Sequence, residues 1–243
     1  YGLLFAASFV VGYWIMQKVF RRENISNEVL DQLSTYMLIA TVVGARLGHC
    51  FFYEPAYYLA NPIEIFKVWE GGLASHGAAI GIIIALYFFS KKHQKPLIWI
   101  LDRIVIVVAL AGFFIRLGNL MNSEIFGHAT TLPWGFYFVK AQETALRTDP
   151  RHPTQIYEAL VYLATFFFLL RSYFKCGIGE KQPGFLFGWF LMLVFGSRFF
   201  VEFLKEPQVG FETSMALNMG QWLSIPFTLA GLYIWYTGWK KRA

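Results

Sequence analysis

Apolar stretches of about 20 residues, separated by short clusters of charge, recur along the whole chain. That is the length a helix needs to cross the hydrocarbon core of a bilayer. Seven such stretches can be read, roughly 1–20, 33–53, 72–89, 98–120, 155–174, 184–204 and 219–239. Composition agrees: 15% of residues are charged, where a soluble domain carries about 25%, and the mean hydropathy is +0.46. These features exclude a soluble globular enzyme, a disordered chain and a disulfide-stapled secreted domain. They also exclude an outer-membrane barrel, whose strands would alternate over about 10 residues. The reading is an all-α polytopic membrane protein, one domain over 1–243. It has seven transmembrane helices and a long extracytoplasmic loop between the fourth and fifth.

Orientation follows from Lys and Arg. The connections after the first, third and fifth spans, with the C-terminal tail, hold twelve of the 21 basic residues, and the opposite loops hold five. Basic residues concentrate on the cytoplasmic side, so the tail is expected to be cytoplasmic and Tyr1 extracytoplasmic. The net charge of +6 is then a property of the inner loops and not a sign of nucleic-acid binding. Cys50 and Cys176 lie far apart with no CxxC spacing, which indicates neither a zinc site nor a disulfide framework. The chain opens at Tyr1 with no initiator Met, so the natural sequence is expected to start earlier. Residues 1–20 lack a small-residue cleavage site and read as a membrane helix, not a cleaved leader.

Four arginines fall inside spans: Arg46, Arg103, Arg116 and Arg198. An arginine near mid-bilayer costs at least about 2.5–3.5 kcal/mol, so such residues face a cavity or a partner. Arg103 follows Asp102 near the inner end of the fourth span, which suggests an ion pair or snorkelling. The other three lie in the outer halves of their helices, and other costly polar groups gather at that depth. His76 is near the outer end of the third span. Asn119 follows Arg116 by three residues and Glu202 follows Arg198 by four, spacings that share one helical face. Tyr1, Asn122 and Glu124 lie at the same level.

Each has a plainer reading. A lone histidine on an apolar helix is commonly a packing residue, and Arg198 with Glu202 could be a simple intrahelical pair. The spacings Gly44–Gly48 and Gly77–Gly81 suit close helix packing, and aromatics serve as interface anchors. Convergence of several costly groups at one depth nevertheless points to a functional cavity. Arginines that outnumber their acids favour an anionic ligand, because guanidinium grips phosphate in bidentate fashion. At outer-leaflet depth that phosphate is a phospholipid headgroup, and a neutral His76 could act as general base. No metal is implied, since HExxH is absent and the carboxylates are not clustered. GxSxG and a glycine-rich phosphate loop are absent too. Ser75 and His76 are adjacent on a helix, pointing about 100° apart, so they form no dyad. The segment Asn122–Pro153, long for a connection, abuts the polar cluster and reads as functional.

Arg116-Leu-Gly-Asn-Leu-Met-Asn-Ser-Glu-Ile-Phe-Gly127 resembles the signature of the bacterial prolipoprotein diacylglyceryl transferases. Supporting blocks are Gly44–Gly48, Gly71–Gly77, Arg151–Glu158, Arg198–Phe203 and Met219–Pro226, in the family's order and over almost the whole chain. The resemblance implies a seven-helix enzyme of the bacterial inner membrane with its site on the extracytoplasmic side. It would move the diacylglyceryl group of phosphatidylglycerol onto the lipobox cysteine thiol of a lipoprotein precursor and release glycerol phosphate. It implies no cofactor. Because the substrate supplies the sulfur, Cys50 and Cys176 are left as packing residues.

Carried over by residue, Arg116 and Arg198 would hold the lipid phosphate and His76 would be the base. Asn119, Asn122, Glu124 and Gly127 would complete the headgroup pocket. Glu202 would orient Arg198, Tyr1 matches a first-helix tyrosine, and Arg46 and His152 are further candidates for substrate binding. The chain departs from the family pattern at Val194, where a tyrosine is common. It also departs at His128 and Lys205, where arginine is common, and at His49, where tyrosine is. The competing classes are an anion or lipid transporter with an arginine-lined site and a structural scaffold. A transporter would favour inverted repeats around a midplane site, and the sequence offers only the echo of Arg46-Leu-Gly48 in Arg116-Leu-Gly118.

Overall fold

The computed structural model describes residues 2–141, 148–207 and 215–240. The elements are α1 (Gly2–Arg22), α2 (Asn27–Phe52), α3 (Pro55–Ala60), two 3₁₀ turns (Pro62–Phe66 and Val68–Glu70), α4 (Ser75–Lys92) and α5 (Leu97–Asn122). Then follow α6 (Thr154–Cys176), α7 (Ile178–Lys181), α8 (Phe185–Val201) with a 3₁₀ extension Glu202–Leu204, and α9 (Met219–Lys240). Among the described residues the only extended pairing is three isolated antiparallel bridges. Among the described residues, five helical segments are long and apolar enough to cross a membrane: α1, α2, α5, α6 and α8 with its extension. Two expected spans, α4 and α9, fall outside that set. The 18 residues of α4 include Ser75, His76, Ser90, Lys91 and Lys92, and α9 carries Gln221, Ser224, Pro226 and Thr228, which dilute their apolar character.

The helices overrun the apolar stretches because backbone hydrogen bonding continues until a residue stops it. α2 starts at Asn27, six residues before the apolar run, with Glu28 in its first turn where the helix dipole favours an acid. α4 starts late for the opposite reason. Gly71 and Gly72 have φ of +90° and +65°, a left-handed backbone that glycine adopts without strain and a helix cannot continue through.

By contacts the chain forms two compact units, one of residues 17–100 and one of residues 1–16 with 101–243. In the first, α2 and α4 approach along small residues. A Cβ on Gly48 would stand 2.6 Å from Gly77 Cα, and one on Gly44 would stand 2.6 Å from the Gly77 carbonyl oxygen. The GxxxG spacings therefore serve packing, as small residues do where lipid offers helices no hydrophobic drive to associate. Leu30, Leu33, Leu86 and Phe89 fill the rest of this core.

In the second unit, α8 and α9 meet at Gly188 and Gly231, each of whose added Cβ would lie within 2.9 Å of the other's carbonyl oxygen. Asp102 accepts from the backbone N–H of Gly184 at 2.6 Å and of Phe187 at 2.9 Å. It caps the start of α8 from a residue 82 positions away. Arg103 does not snorkel: it is buried, with its guanidinium 6.0 Å from the Tyr173 ring. Phe167 of α6 stays exposed, as a lipid-facing residue must.

Candidate functional site

α5 ends in a strained turn. Ser123 and Ile125 have φ of 58° and 59°, and for a β-branched residue such as Ile125 that is an outlier that its surroundings must enforce. The first residues of α6 do so. Thr154 Oγ1 donates to the Ile125 carbonyl at 2.8 Å, and Gln155 Nε2 donates to the Glu124 carbonyl at 2.6 Å. Both residues are wholly buried. The turn delivers the Glu124 carboxylate to two amides: Asn119 Nδ2 donates to it at 3.1 Å and Asn122 Nδ2 at 3.0 Å. Asn119 in turn accepts from Arg116 Nη1 at 3.3 Å, as three-residue helical spacing requires.

Behind this turn lies a row of alternating charge. Arg116 Nε stands 3.0 Å from Glu158 Oε2, Glu158 Oε1 accepts from Lys205 Nζ at 3.0 Å, Lys205 Nζ donates to Glu202 Oε1 at 2.9 Å, and Glu202 Oε1 accepts from Arg198 Nε at 3.0 Å. Side-chain exposure along the row is 11%, 2%, 3%, 8% and 35%. The middle is sealed and Arg198 is the accessible end. Asn218 Nδ2 donates to the second Glu202 oxygen at 3.1 Å, and the Tyr162 ring lies 6.0 Å from the Arg116 guanidinium. Buried charges persist only when each is paired in this manner.

The segment after the turn is tied to the same row. Gly127 N–H donates to the His152 carbonyl and His128 N–H to that of Leu204, both at 2.9 Å. A Cβ on Gly127 would reach the Leu204 carbonyl and the His152 side chain, so this position is closed to any other residue by packing. His152 Nδ1 is 3.2 Å from the Tyr157 hydroxyl, which accepts from Trp134 Nε1 at 2.9 Å. Arg151 pairs with Glu206, and so does His128 at 3.3 Å.

Arg46 and His76 belong to the other unit. The Arg46 guanidinium donates to the carbonyls of Ile65 (3.0 Å), Gly71 (2.6 Å) and Glu64 (2.6 Å). It also lies over the Tyr58 ring at 5.1 Å. Its nitrogens thus organise the segment between α2 and α4. A cavity of about 410 Å³ opens beside it, lined by His49, Tyr57 and Glu70 among others. Burial raises the Tyr58 phenol above its ordinary pKa against the lowering effect of Arg46. His76 sits exposed in the first turn of α4, its ring 5.3 Å from Phe52 and 5.7 Å from Tyr53.

Eight expected site residues therefore belong to one unit: Arg116, Asn119, Asn122, Glu124, Gly127, His152, Arg198 and Glu202. Arg46 and His76 belong to the other, and Tyr1 lies outside the described residues. Sequence reasoning missed Glu158, Lys205, Gln155 and Asn218. The available signals were the terminal glutamate of the Arg151–Glu158 block and the three-residue spacing of Lys205 from Glu202. Cys50 is buried as expected of a packing residue, but Cys176 is exposed at the end of α6. The packing role expected for Cys176 is corrected, because its helix ends there and leaves it exposed.

Long apolar helices together with a buried row of alternating charge that ends on Arg116 and Arg198 define the class as a helical membrane protein. A family model described as prolipoprotein diacylglyceryl transferase matches residues 1–237. A protein of Tolumonas auensis named phosphatidylglycerol–prolipoprotein diacylglyceryl transferase is 49% identical across 100% of this chain and 92% of its own length. Proteins of the same name from Porphyromonas gingivalis and Bacteroides fragilis are 48% and 41% identical, over 96% and 100% of this chain and 86% and 90% of theirs. The chain belongs to the prolipoprotein diacylglyceryl transferase family.

Proposed function

We propose that this protein transfers the diacylglyceryl group of phosphatidylglycerol to the lipobox cysteine of a lipoprotein precursor. Membership of the family over the full chain carries the reading, and the charge row gives it a chemistry. The cysteine sulfur attacks the glyceryl carbon that bears the phosphate ester. A C–S bond forms, the C–O bond to phosphate breaks, glycerol phosphate leaves with the bonding electrons, and the thiol proton passes to a base. Charge grows on the departing phosphate oxygen, where the guanidinium groups of Arg116 and Arg198 stabilise it. Asn119, Asn122 and Glu124 form the polar wall beside Arg116, with Gly127 and His152 bounding it and Glu202 orienting Arg198. His76 is the base, and Arg46 shapes the segment between α2 and α4. Tyr1 contributes a hydroxyl to the lipid headgroup.

The catalytic domain runs over 1–243 and crosses the bacterial inner membrane seven times. The site and N-terminus face the extracytoplasmic side and the tail faces the cytoplasm. The distribution of basic residues, twelve against five, supports that orientation.

The test uses purified protein in liposomes that contain phosphatidylglycerol, supplied with a lipobox peptide. Mass spectrometry follows the thiol and a second assay follows glycerol phosphate. The expected result is a diacylglyceryl thioether with stoichiometric release of glycerol phosphate. Neither product from folded protein overturns the reading, and anion flux is then the activity to measure.

A further inference from the structure

Two buried charges of the row have no part in the transfer as described: Glu158 at 2% and Lys205 at 3% side-chain exposure. Both stand in the middle of the row, and Lys205 touches both carboxylates, at 3.0 Å and 2.9 Å. An ammonium is a compact charge with three donors, so it can bridge the two carboxylate oxygens. Its presence changes what the arginines can do. Two carboxylates packed together without a cation between them repel, and each would turn fully onto its own arginine. Lys205 draws carboxylate charge to the centre of the row, away from the guanidinium groups of Arg116 and Arg198 at its two ends. Three cations against two carboxylates leave the row one net positive charge, and a phosphodiester carries one negative charge.

Resting on the transferase reading above, we propose that Lys205 and Glu158 are positioning residues for the lipid substrate. They hold Arg116 and Arg198 in a row whose net charge matches a single phosphodiester, and so set recognition of phosphatidylglycerol without touching the peptide. Lys205→Met makes the row neutral, Glu158→Gln gives it two positive charges, and the double variant returns it to one.

The experiment measures separate KM values for phosphatidylglycerol and for the lipobox peptide in liposomes, for the wild type, K205M, K205R, E158Q and E158Q/K205M, with folding checked by circular dichroism. K205M is expected to raise the lipid KM about 30-fold, the scale of truncating one member of a buried charge pair, with the peptide KM unchanged. K205R keeps the charge and stays close to the wild type. The double variant regains at least about tenfold of the K205M loss, as coupled neighbours do. A merely structural role would move both KM values together and make the double variant worse than either single one. Either result overturns the inference, as does a wild-type lipid KM in folded K205M. Should K205M fail to accumulate, E158Q/K205M carries the decision alone: a lipid KM near that of the wild type supports the inference, and anything else overturns it. If the wild type itself forms no product, the transferase reading falls and takes this inference with it.

Discussion

Guanidinium chemistry explains why arginine stands at positions 116 and 198. On the proposed reading, each stands beside a buried carboxylate through Nε, and a guanidinium can still offer other nitrogens in one plane to phosphate. Arg116→Ala or Arg198→Ala is expected to abolish transfer while leaving the helical circular dichroism intact. Arg198→Lys, which keeps the charge and loses the fork, should lower kcat about 10²-fold, the scale of one lost transition-state donor. Wild-type turnover in either alanine variant would remove that residue from the mechanism. His76→Ala tests the base by pH. A free thiol has a pKa of about 8.5, so a substrate that ionises unaided at high pH needs no base. The deficit of the variant should shrink steadily from pH 7 to pH 9, and a deficit that stays constant assigns His76 another role. At this scale the helical spacings of Asn119 and Glu202 were legible, because three and four residues make one turn. Glu158 and Lys205 were not, because their contact joins residues 47 apart.

At the scale of elements, glycine decides how closely α2 and α4 approach. The added Cβ of Gly77 would fall 2.6 Å from Gly48 Cα, with backbone and not a yielding side chain as the obstacle. Gly77→Val should lower stability by about 1–3 kcal/mol, the usual effect of overpacking, measured as a lower midpoint in a detergent melt. An unchanged midpoint would show that the two helices have room to move apart. The cap on α8 gives a second test. Asp102→Ala leaves the amides of Gly184 and Phe187 without their partner, and a loss of about 1 kcal/mol is expected from the missing cap. The GxxxG spacings were readable because packing against small residues is local to each helix. The cap was not, since an aspartate beside an arginine suggests an ion pair and only the fold shows a distant helix start above it.

For the whole molecule, the orientation has a direct reporter. Cys176 is exposed at the end of α6 and Cys50 is buried, so a membrane-impermeant maleimide reads one site. Labelling of Cys176 in inside-out vesicles, and none in right-side-out ones, is expected if the basic loops are cytoplasmic. The opposite pattern would invert the topology and place the charge row on the cytoplasmic side.

Hydropathy and charge alone established a helical membrane protein, because the bilayer admits few structures and penalises every unpaired polar group in its core. Ordered motifs pointed to the family, and helical periodicity paired Arg116 with Asn119 and Arg198 with Glu202. What only tertiary structure decided is how the arginines are neutralised. The strained turn at 123–125 is held by Thr154 and Gln155, and the two arginines are joined through Glu158, Lys205 and Glu202. Apart from Lys205 with Glu202, three residues apart, those contacts join residues of different elements. Their energetics depend on mutual burial, which sets the strength of each charge pair and which no spacing along the chain encodes.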